Sequence, residues 1–195
     1  MRVASSRIGI LGGTFDPVHN AHLAMARAAH AQLDLDKIVW VPTGEPRYRQ
    51  APVASGEHRV AMLRLALAGE REGEIDPREL APRASGYTVD TLHELRLELG
   101  RDTELVLLLG ADQYEKLGTW HRPDEVKRVA RIAVFKRPGF GKRIDKETLL
   151  VDMEPMAVAG NEIRARVARG EPIDEMVPAP VASYIAEHGL YRLPS

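Results

Sequence analysis

The sequence contains no cysteine. Disulfides and thiolate metal sites are therefore excluded. Neither sign of charge is in excess: 27 Lys plus Arg stand against 28 Asp plus Glu, for a formal net charge of -1. A general nucleic-acid binder carries a basic excess, so composition gives that class no support. No apolar run is long enough to span a bilayer. The opening residues, MRVASSRIGILGG, lack the apolar stretch of a secretory signal. The expectation is a soluble cytoplasmic protein without a membrane or nucleic-acid partner. Two nucleotide-binding fingerprints are also missing: no GxGxxG follows the first apolar run, and no GxxxxGK(S/T) occurs. At 195 residues the chain is expected to form one domain, large enough to bury a core, with a small helical part from about residue 158.

What is present alternates between strand and helix patterns. Strands are expected at Arg7–Leu11, Lys37–Pro42, Glu74–Asp76, Glu104–Leu109, Ile132–Phe135 and Leu149–Met153. ELVLLL, at 104–109, is apolar almost throughout, as in a parallel sheet covered on both faces. Helices are expected at Ala21–Leu33, Gly56–Ala68, Thr88–Glu98, Asn161–Ala168 and Pro180–His188. Ser55 reads as an N-cap, and Val89, Leu92, Leu95 and Leu99 have helical spacing. Pro138–Lys146 is the segment best suited to a flexible loop. This order predicts an α/β fold with a doubly wound, mainly parallel sheet. Ligands bind such sheets beyond the carboxyl ends of the strands, where strand order reverses. Gly12-Gly13-Thr14, Thr43-Gly44, Gly110-Ala111-Asp112 and Lys136–Gly139 all fall at strand ends.

The richest stretch is GGTFDPVHNAHL at residues 12–23. Gly12 and Gly13 allow close approach of backbone to an anion, and the following helix start offers free N–H groups. His19 and His22 share a face if helical. They could donate to phosphate oxygens and stabilise developing charge; alternatively one caps the helix and the other packs on the sheet. Zinc is the weaker reading, because HExxH is absent and no third ligand of obvious type lies nearby. No metal ligand is assigned. Asp112 could accept from ribose hydroxyls or serve as an N-cap. Trp120 could stack on a flat ring or pack as a hinge aromatic. Asn161 and Arg164, in AGNEIRAR, could hold an anion at a helix start or form a solvated face.

The first motif resembles the GGTFDPxHxGHL signature of nicotinate mononucleotide adenylyltransferases, nucleotidyltransferases that carry an HxGH motif. The resemblance continues through VPTGEP, EHRVAML, GYTVDTLHEL, LLGADQYEKLGTWHRP, KRPG and VPAPVASYIAEHGLY, along nearly the whole chain. It implies a Rossmann-like nucleotidyltransferase fold and adenylyl transfer from ATP to nicotinate mononucleotide, with Mg²⁺ balancing the triphosphate charge. It further implies that His19, His22 and Arg164 carry catalysis. The backbone of Gly12, Gly13, Thr14 and Phe15 would lie beside the ATP phosphates. Gly110 and Asp112 would hold the ribose, and Asn161 would join Arg164 at the outer phosphates. Thr88, Trp120 and His121 would receive the nicotinate, with Thr43 and Arg49 near the mononucleotide phosphate.

Three departures accompany the resemblance. Ala21 replaces the usual glycine of HxGH. The second motif, usually ISSTxIR, reads VAGNEIR at Val158–Arg164, so hydroxyl donors give way to Ala159, Gly160 and Asn161. The usual PPHK reads Pro46-Arg47-Tyr48-Arg49, which keeps the charge at Arg49. Two alternatives stay open. One is a sister transferase using nicotinamide mononucleotide or another phosphorylated acceptor. The other is a nucleotide-binding protein without catalysis.

Overall fold

Short apolar runs alternate with amphipathic ones, and the first five strands are joined in succession by helical crossovers that return the chain to the sheet in parallel. A computed structural model describes residues 6–44, 52–136 and 144–193. Its strands are β1 (Arg7–Gly13), β2 (Lys37–Pro42), β3 (Gly73–Ile75), β4 (Glu104–Gly110), β5 (Arg131–Phe135) and β6 (Leu149–Val151). All pairings are parallel, in the order 3-2-1-4-5-6. The helices are α1 (Asn20–Leu33), α2 (Gly56–Ala66), α3 (Thr88–Leu99), α4 (Ala111–Lys116), α5 (Pro123–Val129), α6 (Gly160–Arg169) and α7 (Ala179–Glu187). This is the expected doubly wound sheet.

The two faces of the sheet are written in the strands with a period of two. Leu105, Leu107 and Leu109 of β4 face Val89, Leu92 and Leu95 of α3 and Val126 of α5. Val106 and Leu108 point the other way, into a core shared by α1, α2, α6 and α7. Trp40, Met62, Ile163 and Ile185 are among its fully buried side chains. Strand order reverses between β1 and β4, so their carboxyl ends frame the crevice where such sheets bind ligands. No described helix is long and apolar enough to cross a membrane.

Element ends differ from the sequence expectation by one or two residues, and two differences matter for the site. β1 runs on through Gly12 and Gly13, because both still pair with β2, at Val41 and Pro42. The helix after β4 starts at Ala111, with Gly110 as its N-cap. Asp112 is thus inside α4 and is not its cap. Residues 138–143 of the expected flexible loop, and Arg49 with its neighbours, lie outside the described residues.

Candidate active site

The turn after β1 is built around one aromatic ring. Phe15 has φ 49, a left-handed conformation that costs a non-glycine residue roughly 1–2 kcal/mol. This twist turns its ring inward, against Trp40 at 5.4 Å between centroids and edge-on to His22 at 5.0 Å. The ring also occupies the space of a side chain at Gly13: a Cβ there would lie 2.9 Å from Phe15. Gly13 is therefore required by packing inside the turn. Gly12 is the glycine that faces open space.

His19 is the N-cap of α1, with extended backbone (φ -146, ψ 171), and His22 lies in the first turn. Only His22 is helical, whereas the expected shared face takes both to be, yet their rings stack at 3.7 Å and 19°. His22 Nδ1 accepts the backbone N–H of His19 at 3.3 Å. A neutral His22 therefore carries its proton on Nε2, where it is a donor. Burial pulls His19 down to about 4, and burial followed by the charge of His19 holds His22 well below 6.5. Two stacked neutral imidazoles at a helix start suit an incoming anion.

Arg164 reaches this turn from far down the chain. Its Nη1 donates to the backbone carbonyl of Asp16 at 2.7 Å and lies 3.9 Å from the Asp16 carboxylate. Gly160 seats the start of α6 against the same residue, since a Cβ there would lie 3.2 Å from the Asp16 carbonyl. Asn161 is exposed in the first turn of α6. Asp16 itself is buried. Its carboxylate accepts the N–H of Val53 at 2.7 Å, the N–H of Ala54 at 3.1 Å and the hydroxyl of Tyr191 at 2.6 Å. Burial and the Asp16 carboxylate push the Tyr191 phenol far above its ordinary range.

The remaining described candidates lie at the ends of β2 and β4 and at the starts of α3, α4 and α5. Gly110 ends β4 facing open space, and Asp112 is exposed in α4. Thr88 opens α3 after the N-cap Tyr87, whose ring stacks on His121 at 4.2 Å. Arg122 follows His121 and pairs with Asp90 of α3, so the Trp120–His121 turn is fastened to the start of α3. Trp120 is half-buried against the second core, leaving one part of the ring to that core. Thr43 continues the β1–β2 ladder, donating its N–H to Gly13 at 2.9 Å. At Gly44 a Cβ would fall 2.2 Å from the backbone oxygen of Glu79, so only glycine fits.

Among the described residues, α3, α4, α5, α6 and α7 start without a side-chain cap, whereas α2 is capped by Ser55 and the His19 N–H at the start of α1 is taken by His22 Nδ1. Uncapped helix starts leave N–H groups to be satisfied by water or by an anion. Two imidazoles and a guanidinium stand at the turn after β1, next to the point where strand order reverses. The sequence singles out the histidines and Arg164 but not Asp16, whose backbone carbonyl accepts from Arg164, nor Tyr191, whose hydroxyl donates to the Asp16 carboxylate.

Similarity to known proteins agrees with this geometry. The Cytidylyltransferase-like family matches residues 10–167. The probable nicotinate-nucleotide adenylyltransferase of Bordetella petrii is 40% identical over 197 residues, covering 95% of this chain and 99% of that protein. The one of Chromobacterium violaceum is 37% identical, covering 96% of this chain and all of that protein. The chain belongs to the nicotinate-nucleotide adenylyltransferase family. The fold of this family member is shared with a solved Plasmodium falciparum nicotinic acid mononucleotide adenylyltransferase complexed with NaAD. That structure has a TM-score of 0.80 at 18% identity and covers 95% of this chain and 97% of its own.

Proposed function

We propose that this chain transfers the adenylyl group of ATP to nicotinate mononucleotide. A 5′-phosphate oxygen of the mononucleotide attacks the α-phosphorus in line. The bond from that phosphorus to its bridging oxygen breaks, pyrophosphate leaves, and nicotinate adenine dinucleotide forms. The chemistry needs no protein nucleophile, so positioning and charge stabilisation carry it. The observation that carries the reading is the meeting, at the end of β1, of the stacked His19 and His22 with Arg164 from α6.

In this reading His19, His22 and Arg164 act on the ATP phosphates, beside the backbone of Gly12, Gly13, Thr14 and Phe15 and with Asn161. Gly110 and Asp112 take the ribose. Thr88, Trp120 and His121 take the nicotinate, with Thr43 and Arg49 toward the mononucleotide phosphate. Nucleotidyl transfer calls for a divalent cation, and Mg²⁺ would balance the triphosphate charge. The gathered groups are imidazoles, a guanidinium and N–H donors, and the Asp16 carboxylate is already committed to three donors. They fit a cation that arrives on the triphosphate. We read the chain as one domain with a helical part from about 158, acting in the cytoplasm.

The test is to incubate the protein with ATP, Mg²⁺ and nicotinate mononucleotide, and to follow pyrophosphate and the dinucleotide. A parallel reaction with nicotinamide mononucleotide separates acid from amide acceptor. No pyrophosphate with either overturns the reading. His22→Ala should lower turnover about 10²–10³-fold, as for loss of one transition-state donor, while the protein stays folded at a lowered unfolding midpoint, since the ring packs on His19 and Phe15. Unchanged turnover removes His22 from the mechanism.

A further inference from the structure

The motif EHRVAML contains a charged residue that no role above uses. Arg59 lies on α2, three and four residues before the fully buried Met62 and Leu63, and is itself only 2% exposed. A buried cation is costly unless its donors are used. One nitrogen, Nη1, donates to two backbone carbonyls, Thr14 and Thr43, each at 2.8 Å. These residues lie just past the last bonds of the β1–β2 ladder, where Gly13 pairs with Pro42 and the Thr43 N–H reaches Gly13. The guanidinium thus joins the two strands one step beyond the point where their own pairing stops. Nε of Arg59 is buried without a hydrogen-bond partner among the described residues, so the Nη1 bridge is the contact through which Arg59 grips both strand ends.

We infer that Arg59 is a positioning residue for adenylyl transfer: it fixes the turn carrying the ATP-side donors at a set distance from the β2 end on the acceptor side. This inference rests on the adenylyltransfer reading. In-line attack depends on the relative placement of two substrates, and a misplacement of about 1 Å can cost about 100-fold in rate. Each substrate can still bind its own half when the halves drift apart. The loss should therefore appear in the chemical step and much less in the affinity for ATP alone.

The experiment compares Arg59→Met, which keeps bulk without donors, with Arg59→Lys, whose single ammonium nitrogen can still bridge two carbonyls. Single-turnover rate, ATP affinity by calorimetry and amide exchange are read for each. Arg59→Met should lose about 100-fold in single-turnover rate, with ATP affinity within about threefold. Arg59→Lys should lose only about 3–10-fold. In Arg59→Met the Thr43 amide should exchange at least tenfold faster, while the β4 amides of Leu107 and Leu108 keep wild-type rates. A general loss of stability would speed β4 as well. If Arg59→Met does not fold, Arg59→Lys decides: a loss confined to rate supports the inference, and a wild-type rate or a loss confined to ATP affinity overturns it. If wild type itself forms no dinucleotide, the function reading fails, and Thr43 exchange alone decides whether Arg59 locks the strand ends. Unchanged Thr43 exchange in Arg59→Met, or equal rate losses in the Met and Lys variants, overturns it in any case.

Discussion

Acidification should destabilise the protein through His19. Its imidazole is pulled down to about 4 by burial, against 6.5 in the unfolded chain. Above pH 6.5 neither state holds the proton, and His19 makes no difference to stability. Between 6.5 and 4 the unfolded chain binds a proton that the native state refuses, so stability falls as pH falls. Below 4 both states are protonated and the loss is complete. At pH 4.5 the linkage amounts to about 2.5 kcal/mol relative to pH 7.5, a large fraction of the stability of a typical domain. Burial of His22 acts in the same direction. Carboxylates held low by partners, such as Glu98 beside Arg78, also lose stability on acidification, so the wild-type curve alone does not isolate the imidazole. His19→Asn isolates it, because asparagine is a good N-cap and does not titrate. Urea unfolding followed by tryptophan fluorescence suits the question, since Trp40 is buried against Phe15, whose ring also meets His22. Between pH 7.5 and 4.5 the wild type should lose about 2.5 kcal/mol more than His19→Asn. Equal losses in the two proteins would refute the claim that His19 is kept neutral by burial.

Three further outcomes follow from contacts around the same turn. Tyr191→Phe removes the hydroxyl that donates to Asp16 at 2.6 Å and should cost about 1.5–3 kcal/mol in urea unfolding, the range for a hydrogen bond to a charged group. Gly44→Ala forces a methyl to within 2.2 Å of the Glu79 backbone oxygen and should cost about 1–3 kcal/mol, seen as a lower melting temperature. Arg164→Ala removes the cation at the start of α6 and should slow pyrophosphate release by about 10²–10³-fold, while far-ultraviolet circular dichroism stays unchanged.

What was readable in the sequence, and what was not, divides along a physical line. β1, β2, β4 and β5 are readable because a buried parallel strand needs an apolar run, as in ELVLLL, whereas the three-residue β3 (Gly-Glu-Ile) lies at the sheet edge with no buried residue and carries no such run. The imidazole pair was readable because its geometry is local: three residues apart at a helix start, the rings must lie near one another. Ser55 was readable for the same reason, and its hydroxyl accepts the His58 N–H at 3.3 Å. Asp112 is not the cap because α4 follows β4 with no loop between them: Gly110 ends the strand and is itself the N-cap, which puts Asp112 inside the first turn. Gly13 has a second reason that the sequence does not show: its missing side chain makes room for Phe15.

The supports of the site obey a different rule. Asp16 meets Tyr191 across 175 residues and Arg164 across 148. Nothing in local periodicity can announce such a partner, because the partner is chosen by how α6 and the chain after α7 close over the first turn. Arg59 is the exception that carried a visible signal. A guanidinium on the same helical face as Met62 and Leu63 is a charge in an apolar row, and such a charge survives in a core only where it is paired or used. Donors that touch a ligand can be close in sequence, because a ligand needs only a cluster of N–H groups. The groups that hold those donors in register must come from elements that pack from elsewhere. A variant that keeps every residue of GGTFDPVHNAHL but loses Arg59 or Tyr191 should therefore retain the donors and lose their alignment.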